Sequence, residues 1–254
     1  MAEQGTWLVE LTGDGQPVYV FPHGGAGSGA VRDLAAALEG DARVVAVRLP
    51  GRESSAHLTC EVDTDVIAAT LAAQIHADLG DTTTPPILYG HCAGAIFAYE
   101  TAALLAADHH GALVISSHES PDRIPRPGVW TWDDVPFLER VAADGFLPPE
   151  VIEDEELREI CLPPLRADYQ AIETHESLCE VLPWPITALL ADTDTPVAED
   201  DITSWADVTD AGFTLRHVAG PHHLLTESTD SVASCLRVLL SEAAATGITG
   251  QGRA

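Results

Sequence analysis

The sequence predicts an α/β fold, in which a mostly parallel, doubly wound sheet carries a helical insertion. Short β-branched apolar runs alternate with longer segments of helical periodicity, which is typical of parallel strands joined by crossover helices. Residues 121–183 break this alternation, because they are rich in proline and acidic residues yet keep helical periodicity. A chain of 254 residues with 46% hydrophobic residues can bury one large core. We therefore expect a single domain over residues 1–246 and a disordered tail over 247–254.

Six short apolar runs are the predicted strands, and five longer segments with a helical pattern are the predicted helices. The strands are expected at 17–22, 43–49, 86–89, 112–117, 186–191 and 213–218. The helices are expected near 28–38, 64–79, 95–107, 202–208 and 230–245. Because the insertion at 121–183 falls between two strands, it is expected to form a lid over the functional site. The alternative is a surface insertion that only stabilises the edge of the sheet.

Composition limits the classes of function. The net charge of −28 comes from 40 acidic residues against 12 basic ones, all of them arginine, which argues against nucleic acid as a partner. Five cysteines, at positions 60, 92, 161, 179 and 235, never form a C-x-x-C pair, which argues against a disulfide framework and a zinc site. No apolar run is long enough to span a bilayer and the first residues do not resemble a signal peptide, so a cytoplasmic location is expected.

The segment Gly90-His91-Cys92-Ala93-Gly94 has the pattern of a nucleophile elbow. An apolar strand runs into it and a helical pattern follows, as in the α/β-hydrolase fold. The strained turn needs small residues two positions before and after the nucleophile, and Gly90 and Gly94 meet this need. A thiolate at a helix N-terminus, paired with a histidine, is expected to be a strong nucleophile. The sequence thus predicts Cys92 as the nucleophile, with a buried inert thiol as the alternative.

A nucleophile of this kind needs a base and an acid, which follow it in the order acid, then histidine. Asp192 and Asp194 follow one predicted strand, and His222 and His223 follow the next. We prefer Asp194, which sits farther into its loop, and His222, which directly follows a Gly-Pro turn. Asp192 and His223 are the alternatives. If these residues have no catalytic role, they are a solvated loop aspartate and a histidine pair on the surface.

An oxyanion hole in this fold takes one backbone N–H after the nucleophile and one from a loop after an early strand. Ala93 is predicted to supply the first. For the second we choose Gly24, in the loop Phe-Pro-His-Gly-Gly-Ala-Gly at 21–27. That loop has neither the lysine of a P-loop nor G-x-G-x-x-G spacing, so a phosphate site is disfavoured.

Eleven histidines raise the question of a metal ion. His109-His110 and His222-His223 are adjacent pairs rather than ligands at i and i+4 on a helix face, and no H-E-x-x-H motif occurs. We therefore expect no structural or catalytic metal.

With these residues in view, the chain resembles the type II thioesterases, the stand-alone α/β hydrolases that accompany modular polyketide and nonribosomal peptide synthetases. The resemblance covers nearly the whole chain. Its specific parts are the loop at 21–27, Leu-Pro-Gly-Arg-Glu at 49–53, the elbow, Leu-Pro-Pro-Leu-Arg-Ala-Asp-Tyr at 162–169, and the segment 185–222. The resemblance implies that Cys92, Asp194 and His222 form a triad, although the family usually has Gly-His-Ser-Met-Gly where this chain has Gly-His-Cys-Ala-Gly.

The resemblance also implies the substrate: acyl groups carried on the phosphopantetheine of acyl or peptidyl carrier proteins, with no cofactor bound to the enzyme itself. We expect a monomeric thioesterase that works through an acyl-Cys92 intermediate. Because a cysteine keeps the acyl group activated as a thioester, an acyltransferase, aminoacyl shuttle or cyclase is the main alternative. A non-catalytic carrier-binding module and a small-molecule hydrolase of the dienelactone type are less favoured. Carrier proteins are generally acidic, so arginines such as Arg52, Arg123, Arg126 and Arg166 would have to cluster near the entrance.

Overall fold

The computed structural model describes residues 5–143, 145–147, 150–177 and 181–249, with side chains up to residue 242. Seven strands form one sheet in the order β1-β3-β2-β4-β5-β6-β7. They are β1 (Leu8–Glu10), β2 (Gln16–Phe21), β3 (Ala42–Val47), β4 (Ile87–His91), β5 (Ala112–Ser116), β6 (Ile186–Ala191) and β7 (Phe213–Val218). Only β1 pairs antiparallel, with β3. The prediction of a mostly parallel α/β sheet is therefore confirmed, and β1 is an additional strand whose three residues are too short to show a pattern.

Five of the helices outside the insertion follow the predicted ones, with shifted ends, and one short helix, at residues 224–227, was not predicted. They are α1 (Arg32–Ala37), α2 (Thr64–Leu79), α3 (Ala93–Leu105), α7 (Glu199–Thr203), α8 (Leu224–Glu227) and α9 (Thr229–Thr249). Single 3-10 turns at Ser28–Val31 and Ser204–Val208 complete two of the predicted helices. Helix α9 continues through residues 247–249, which were predicted to belong to a disordered tail, and residues 250–254 lie outside the described part.

The sheet is buried on both faces, as expected for parallel strands covered by helices. Along β2, Tyr19 and Phe21 join an apolar cluster with α2 and α3. Val18 and Val20 point the other way and join a second cluster with α1 and α9. This alternation fixes which face each helix covers and leaves the carboxyl ends of the strands as the edge where loops meet. Within the described residues, no helix is both long and apolar enough to cross a membrane.

The insertion forms a helical cap, by which we mean the described residues between 121 and 177. It contains α4 (Asp134–Ala143), α5 (Glu150–Glu153) and α6 (Glu155–Thr174), after two 3-10 turns. Side chains from α4 and α6, including Phe137, Leu138 and Leu165, form a small apolar cluster apart from the two sheet clusters. Asp154 begins α6 by accepting hydrogen bonds from the N–H groups of Glu156 and Leu157.

Candidate active site

The turn after β4 holds Cys92 in a strained backbone conformation. Cys92 has φ of 52° and ψ of −127°, values that a residue other than glycine rarely adopts. A Cβ atom on Gly90 would lie 2.5 Å from Cα of Ala95, and one on Gly94 would lie 2.1 Å from the carbonyl oxygen of Phe21. Both glycines are therefore required by close backbone contact. The turn presents Cys92 at the N-terminus of α3, as the sequence pattern predicted.

His222 and Asp194 lie together at the ends of neighbouring strands. His222 Nδ1 is 2.9 Å from Asp194 Oδ1 and 3.1 Å from Oδ2. The His222 side chain is 6% exposed and the Asp194 side chain is fully buried, so the interaction is shielded from solvent. The Ser117 hydroxyl donates to the backbone carbonyl of His222 at 2.9 Å and fixes that loop.

The alternatives to these two residues make other contacts. Asp192 is half exposed, and its Oδ1 lies 3.9 Å from Nδ1 of the exposed His217. His223 Nε2 donates to the carbonyl of Gly145 in the cap at 2.8 Å. Of the candidates from the sequence, the structure thus brings Asp194 and His222 into contact with each other.

Cys92 also interacts with the His222 ring. Burial lowers the pKa of His222, but the hydrogen bond to Asp194 and the interaction with Cys92 outweigh it and raise that pKa to about 10. Nε2 of His222 is buried and makes no well-aligned hydrogen bond to any described group. The ring therefore tends to hold a proton next to the sulfur. This arrangement can remove the thiol proton and return it to a leaving group.

The predicted oxyanion residues lie side by side. A Cβ atom placed on Gly24 would be 3.5 Å from Cβ of Ala93, so the glycine loop passes directly over the start of α3. Within the described part of the chain, neither backbone N–H donates to another protein group, whereas the N–H of Gly25 donates to Asp168 Oδ2 at 2.7 Å. The N–H groups of Gly24 and Ala93 are thus available for a substrate oxygen.

A buried ion pair holds the glycine loop in place. It was not predicted from the sequence as part of the site. Arg52 makes two hydrogen bonds to Asp168 of α6, at 2.9 and 2.8 Å, and a third to the carbonyl of Ala26 at 2.9 Å. Both charged side chains are 5% exposed or less. Glu53 accepts hydrogen bonds from the Ser28 hydroxyl and the Gly29 N–H just beyond the loop. The sequence did carry a signal for these residues. Arg52 and Glu53 lie in the family-like segment 49–53, and Asp168 lies in the family-like segment 162–169.

A cavity of about 280 Å³ opens beside Cys92. The core contributes Gly24, Ala93 and Cys92 to its wall. The cap contributes mainly apolar side chains: Val129, Phe146, Leu165, Tyr169 and Ile172. The Phe146 ring also lies over His222, with 4.6 Å between the ring centroids. The insertion therefore covers the site, as the lid hypothesis requires.

The four arginines that the sequence suggested for docking are each paired with an acidic residue. Arg52 is in the buried pair, and the other pairs are Arg123 with Asp207, Arg126 with Glu176 and Arg166 with Asp134. These four side chains thus do not form a free cationic patch.

The sheet order and the turn at Cys92 define the class of this protein, the α/β hydrolases. The model of the thioesterase domain family matches residues 16–239, and the chain therefore belongs to that family. It is 33% identical over 235 residues to phenyloxazoline synthase MbtB of Mycobacterium tuberculosis, a match that covers 89% of this chain and 16% of MbtB. The chain thus spans only a small part of the length of that curated relative.

Two solved structures resemble the chain over most of both lengths. BorB, the type II thioesterase from the borrelidin biosynthetic cluster, has a TM-score of 0.80 and 30% identity, covering 92% of this chain and 97% of BorB. YbtT, the type II thioesterase from the yersiniabactin NRPS/PKS pathway, has a TM-score of 0.83 and 26% identity, covering 94% of this chain and 99% of YbtT. The resemblance to type II thioesterases expected from the sequence is confirmed at the level of family and fold.

Proposed function

We propose that this protein is an acyl-thioesterase that removes acyl groups from the phosphopantetheine of carrier proteins in polyketide and nonribosomal peptide biosynthesis. The observation that carries the proposal is the hydrogen bond between His222 and Asp194, next to a cysteine that lines an apolar cavity. The likeness to BorB and YbtT supports the pathway class. We further propose that residues 1–246 work as one cytoplasmic, monomeric unit without a cofactor of its own.

The first half-reaction transfers the acyl group to Cys92. The thiol proton passes to His222 Nε2, and Sγ attacks the carbonyl carbon of the thioester. The N–H groups of Gly24 and Ala93 donate hydrogen bonds to the carbonyl oxygen and stabilise the negative charge that develops there. The bond from carbon to the pantetheine sulfur then breaks, and His222 gives the proton to the departing thiolate. Asp194 orients the ring and stabilises its charged form throughout.

The second half-reaction releases the acid. His222 takes a proton from a water molecule, whose oxygen attacks the acyl-Cys92 carbonyl. The carbon–sulfur bond breaks, and Cys92 recovers its proton from His222. The cap contributes by enclosing the acyl chain, since a water-poor cavity strengthens the electrostatic interactions at the reacting atoms.

Release of free acid from a panel of acyl-pantetheine thioesters tests this proposal. Cys92→Ala is expected to lower kcat by about 10⁴-fold, as removal of a catalytic nucleophile does in comparable enzymes. Cys235→Ala is the matched control, because Cys235 is a free, partly buried cysteine of α9 that packs against the second apolar cluster, and it is expected to retain activity. Acid release by Cys92→Ala at the rate of the unaltered protein would contradict the proposal.

One observation favours acyl transfer as a second candidate. The nucleophile is sulfur, so the acyl-enzyme is itself a thioester and forms from a pantetheine thioester with little change in free energy. A thiol, amine or hydroxyl can then replace water as the acceptor.

Glu119 offers a contact for one class of substrate. It lines the cavity, and its 18% exposed carboxylate can hold the ammonium group of an aminoacyl substrate.

Time-resolved intact mass measurements separate the two candidates. Transfer predicts an acyl-Cys92 adduct that persists in buffer and is discharged when an acceptor carrier thiol or amine is added. Hydrolysis predicts that the adduct disappears equally fast without an acceptor. Glu119→Gln is expected to slow acylation by aminoacyl thioesters while leaving the matching des-amino thioesters unaffected.

Docking of a carrier protein is expected to use apolar contacts. Of the eight large apolar side chains that are exposed among the described residues, four belong to the cap: Trp132, Val135, Leu157 and Ile160. Because the candidate arginines are paired and the chain carries a net charge of −28, charge attraction is a poor basis for binding an acidic partner. We propose that the cap receives the carrier protein.

A further inference from the structure

Three histidines from different segments meet next to the proposed catalytic residues. They are His23 in the glycine loop, His91 at the end of β4 and His223 after β7. One nitrogen from each ring lies within 4.8 Å of the corresponding nitrogens of the other two. The ring centroids are 5.4 to 6.4 Å apart. We call this set the histidine cluster.

Two of the three rings direct an unpartnered nitrogen into the protein. Nδ1 of His23 and Nε2 of His91 are buried and have no hydrogen-bond partner among the described residues. A buried nitrogen without a partner loses its hydration and gains nothing in return, which is unfavourable. The hydrolase chemistry described above uses neither atom. Their shared position beside His223 therefore needs another explanation.

In two of the rings, the second nitrogen already has a hydrogen-bond partner, as is typical of metal-binding histidines. His223 Nε2 lies 2.8 Å from the Gly145 carbonyl, so it carries the proton and leaves the lone pair on Nδ1. His91 Nδ1 lies 2.8 Å from the Ser116 hydroxyl, and when it donates there Nε2 has the free lone pair. Metal-binding histidines characteristically donate their other N–H to a carbonyl or similar group, which fixes the tautomer.

The rings are also in the right protonation state. Burial, with repulsion from His223 and His222, lowers the pKa of His23 to about 4. Burial also lowers the pKa of His91 and of His223. All three rings are therefore neutral near pH 7, and a metal ion does not have to displace protons to bind them.

We propose that the histidine cluster binds a zinc-like divalent transition-metal ion, and that occupancy of this site inhibits the enzyme. Imidazole nitrogen is a preferred ligand of Zn²⁺ and Co²⁺, whereas Mg²⁺ and Ca²⁺ require oxygen ligands. Tetrahedral bonds of about 2.0 to 2.1 Å place ligand nitrogens about 3.4 Å apart, so small rotations of the rings close the site. The fourth position is left for solvent or a group in the cavity.

Inhibition follows from the position of the ion. The His222 ring lies with its centroid 5.3 Å from that of His223 and 5.9 Å from that of His91. His23 and His223 line the same cavity as Cys92, so an ion bound there, with the ligand in its fourth position, occupies space that the thioester needs in the proposed acylation step. This consequence rests on the proposed function, but binding of the ion does not.

Titration with Co²⁺, followed by visible absorption and metal stoichiometry, tests the binding itself. We expect one Co²⁺ per chain with the spectrum of a low-coordinate nitrogen site, and at least about 100-fold weaker binding to His223→Phe. His76→Ala is the control, because His76 Nδ1 lies 2.9 Å from His109 Nε2 and this surface pair is the obvious adventitious site. Unchanged binding by His223→Phe, or loss of binding in His76→Ala, would overturn the proposal. Should His223→Phe not fold, as judged by circular dichroism, His23→Asn replaces it with the same expectation.

Activity assays then test the consequence separately. Zn²⁺ is expected to inhibit the unaltered protein and His76→Ala, with recovery on addition of a chelator. The rate of His223→Phe, measured relative to its own rate in chelator, is expected to be insensitive to Zn²⁺. Equal inhibition of His223→Phe would overturn the inhibitory role. If the thioesterase proposal itself fails, no variant shows activity, while the Co²⁺ titration still reports on the site.

Discussion

The turn at residues 90–94 and the helical cap border the same cavity, but they are fixed in different ways. The turn is held by backbone geometry, since Cys92 has a positive φ and the flanking glycines touch neighbouring main chain. The cap is held by side chains: a small apolar cluster and the buried pair between Arg52 and Asp168. We infer that the turn tolerates almost no change, whereas the cap can vary with the substrate. Changes in the turn should affect every acyl group equally, and changes in the cap should affect some more than others.

Gly94→Ala is expected to have the largest effect. Its Cβ atom would meet the carbonyl oxygen of Phe21 at 2.1 Å, and backbone cannot move aside without disturbing β2. We expect a loss of about 5 kcal/mol or more in the free energy of unfolding, measured by chemical denaturation. The matched control is Gly40→Ala, where φ is 82° but no atom lies within 4 Å, and about 1 kcal/mol is expected. Equal effects at the two positions would show that close contact does not fix the turn.

Asp168→Asn tests the ion pair and hydrogen bond that connect the cap to the glycine loop. The change leaves the Arg52 charge buried without its partner, at an expected cost of about 3 kcal/mol. Hydrogen exchange should increase in α6 and in residues 24–26, while α3 stays protected. The control is Asp134→Asn, whose carboxylate is 66% exposed where it pairs with Arg166, with less than about 1 kcal/mol expected. Increased exchange in α3 as well would mean that cap and turn are not independent.

Ile172→Val tests whether the cap, rather than the turn, determines selectivity between acyl groups. Ile172 lines the cavity from α6, and removing one methylene group makes room for a longer acyl chain. The ratio of kcat/KM for a long acyl thioester to that for a short one should rise about fivefold. Ile160→Val, on the same helix but 69% exposed, should leave the ratio unchanged. A uniform change for all acyl groups would argue against the cap as the selective element.

The smallest expected effect concerns the acid dependence of the glycine loop. Burial raises the pKa of Glu53, but its hydrogen bonds to Ser28 and Gly29 outweigh burial and lower it. Its ionised form thus stabilises the fold above the pKa of an unfolded glutamate, and this stabilisation is lost as pH falls through the lowered pKa. Glu53→Gln should be less stable than the unaltered protein near pH 7, by under about 1 kcal/mol because the group is largely exposed. The difference should vanish in acid; a difference that grows in acid would contradict the assignment.

The part of the site that lies within one continuous segment was predictable from the sequence. The Gly-x-Cys-x-Gly turn marks the candidate nucleophile and predicts its backbone strain, because only glycine fits where the chain nearly touches itself. The predicted strands likewise follow from local apolar runs. The ends of helices were less predictable: α3 begins at Ala93, two residues before the predicted start, because the turn itself provides the helix N-terminus.

Choices between neighbouring residues depended on the tertiary structure. Sequence order allows either residue of Asp192 and Asp194, and either residue of His222 and His223, because adjacent loop residues share the same local pattern. Only packing decides that one aspartate is buried against a ring and the other is half exposed. The pairing of Arg52 with Asp168 joins residues far apart in sequence, so no local pattern could reveal it.

The histidines also show the difference between what the sequence determines and what only the tertiary structure decides. The sequence by itself determined the parallel α/β sheet, the elbow and the position of Cys92, since these follow from local periodicity and from the steric needs of one turn. It also argued against a metal site, because a sequence displays only those ligand patterns that lie within one short segment, such as a C-x-x-C pair or histidines at i and i+4 of one helix. Tertiary structure brought His23, His91 and His223 together from three segments, because the carboxyl ends of parallel strands meet at one edge of the sheet.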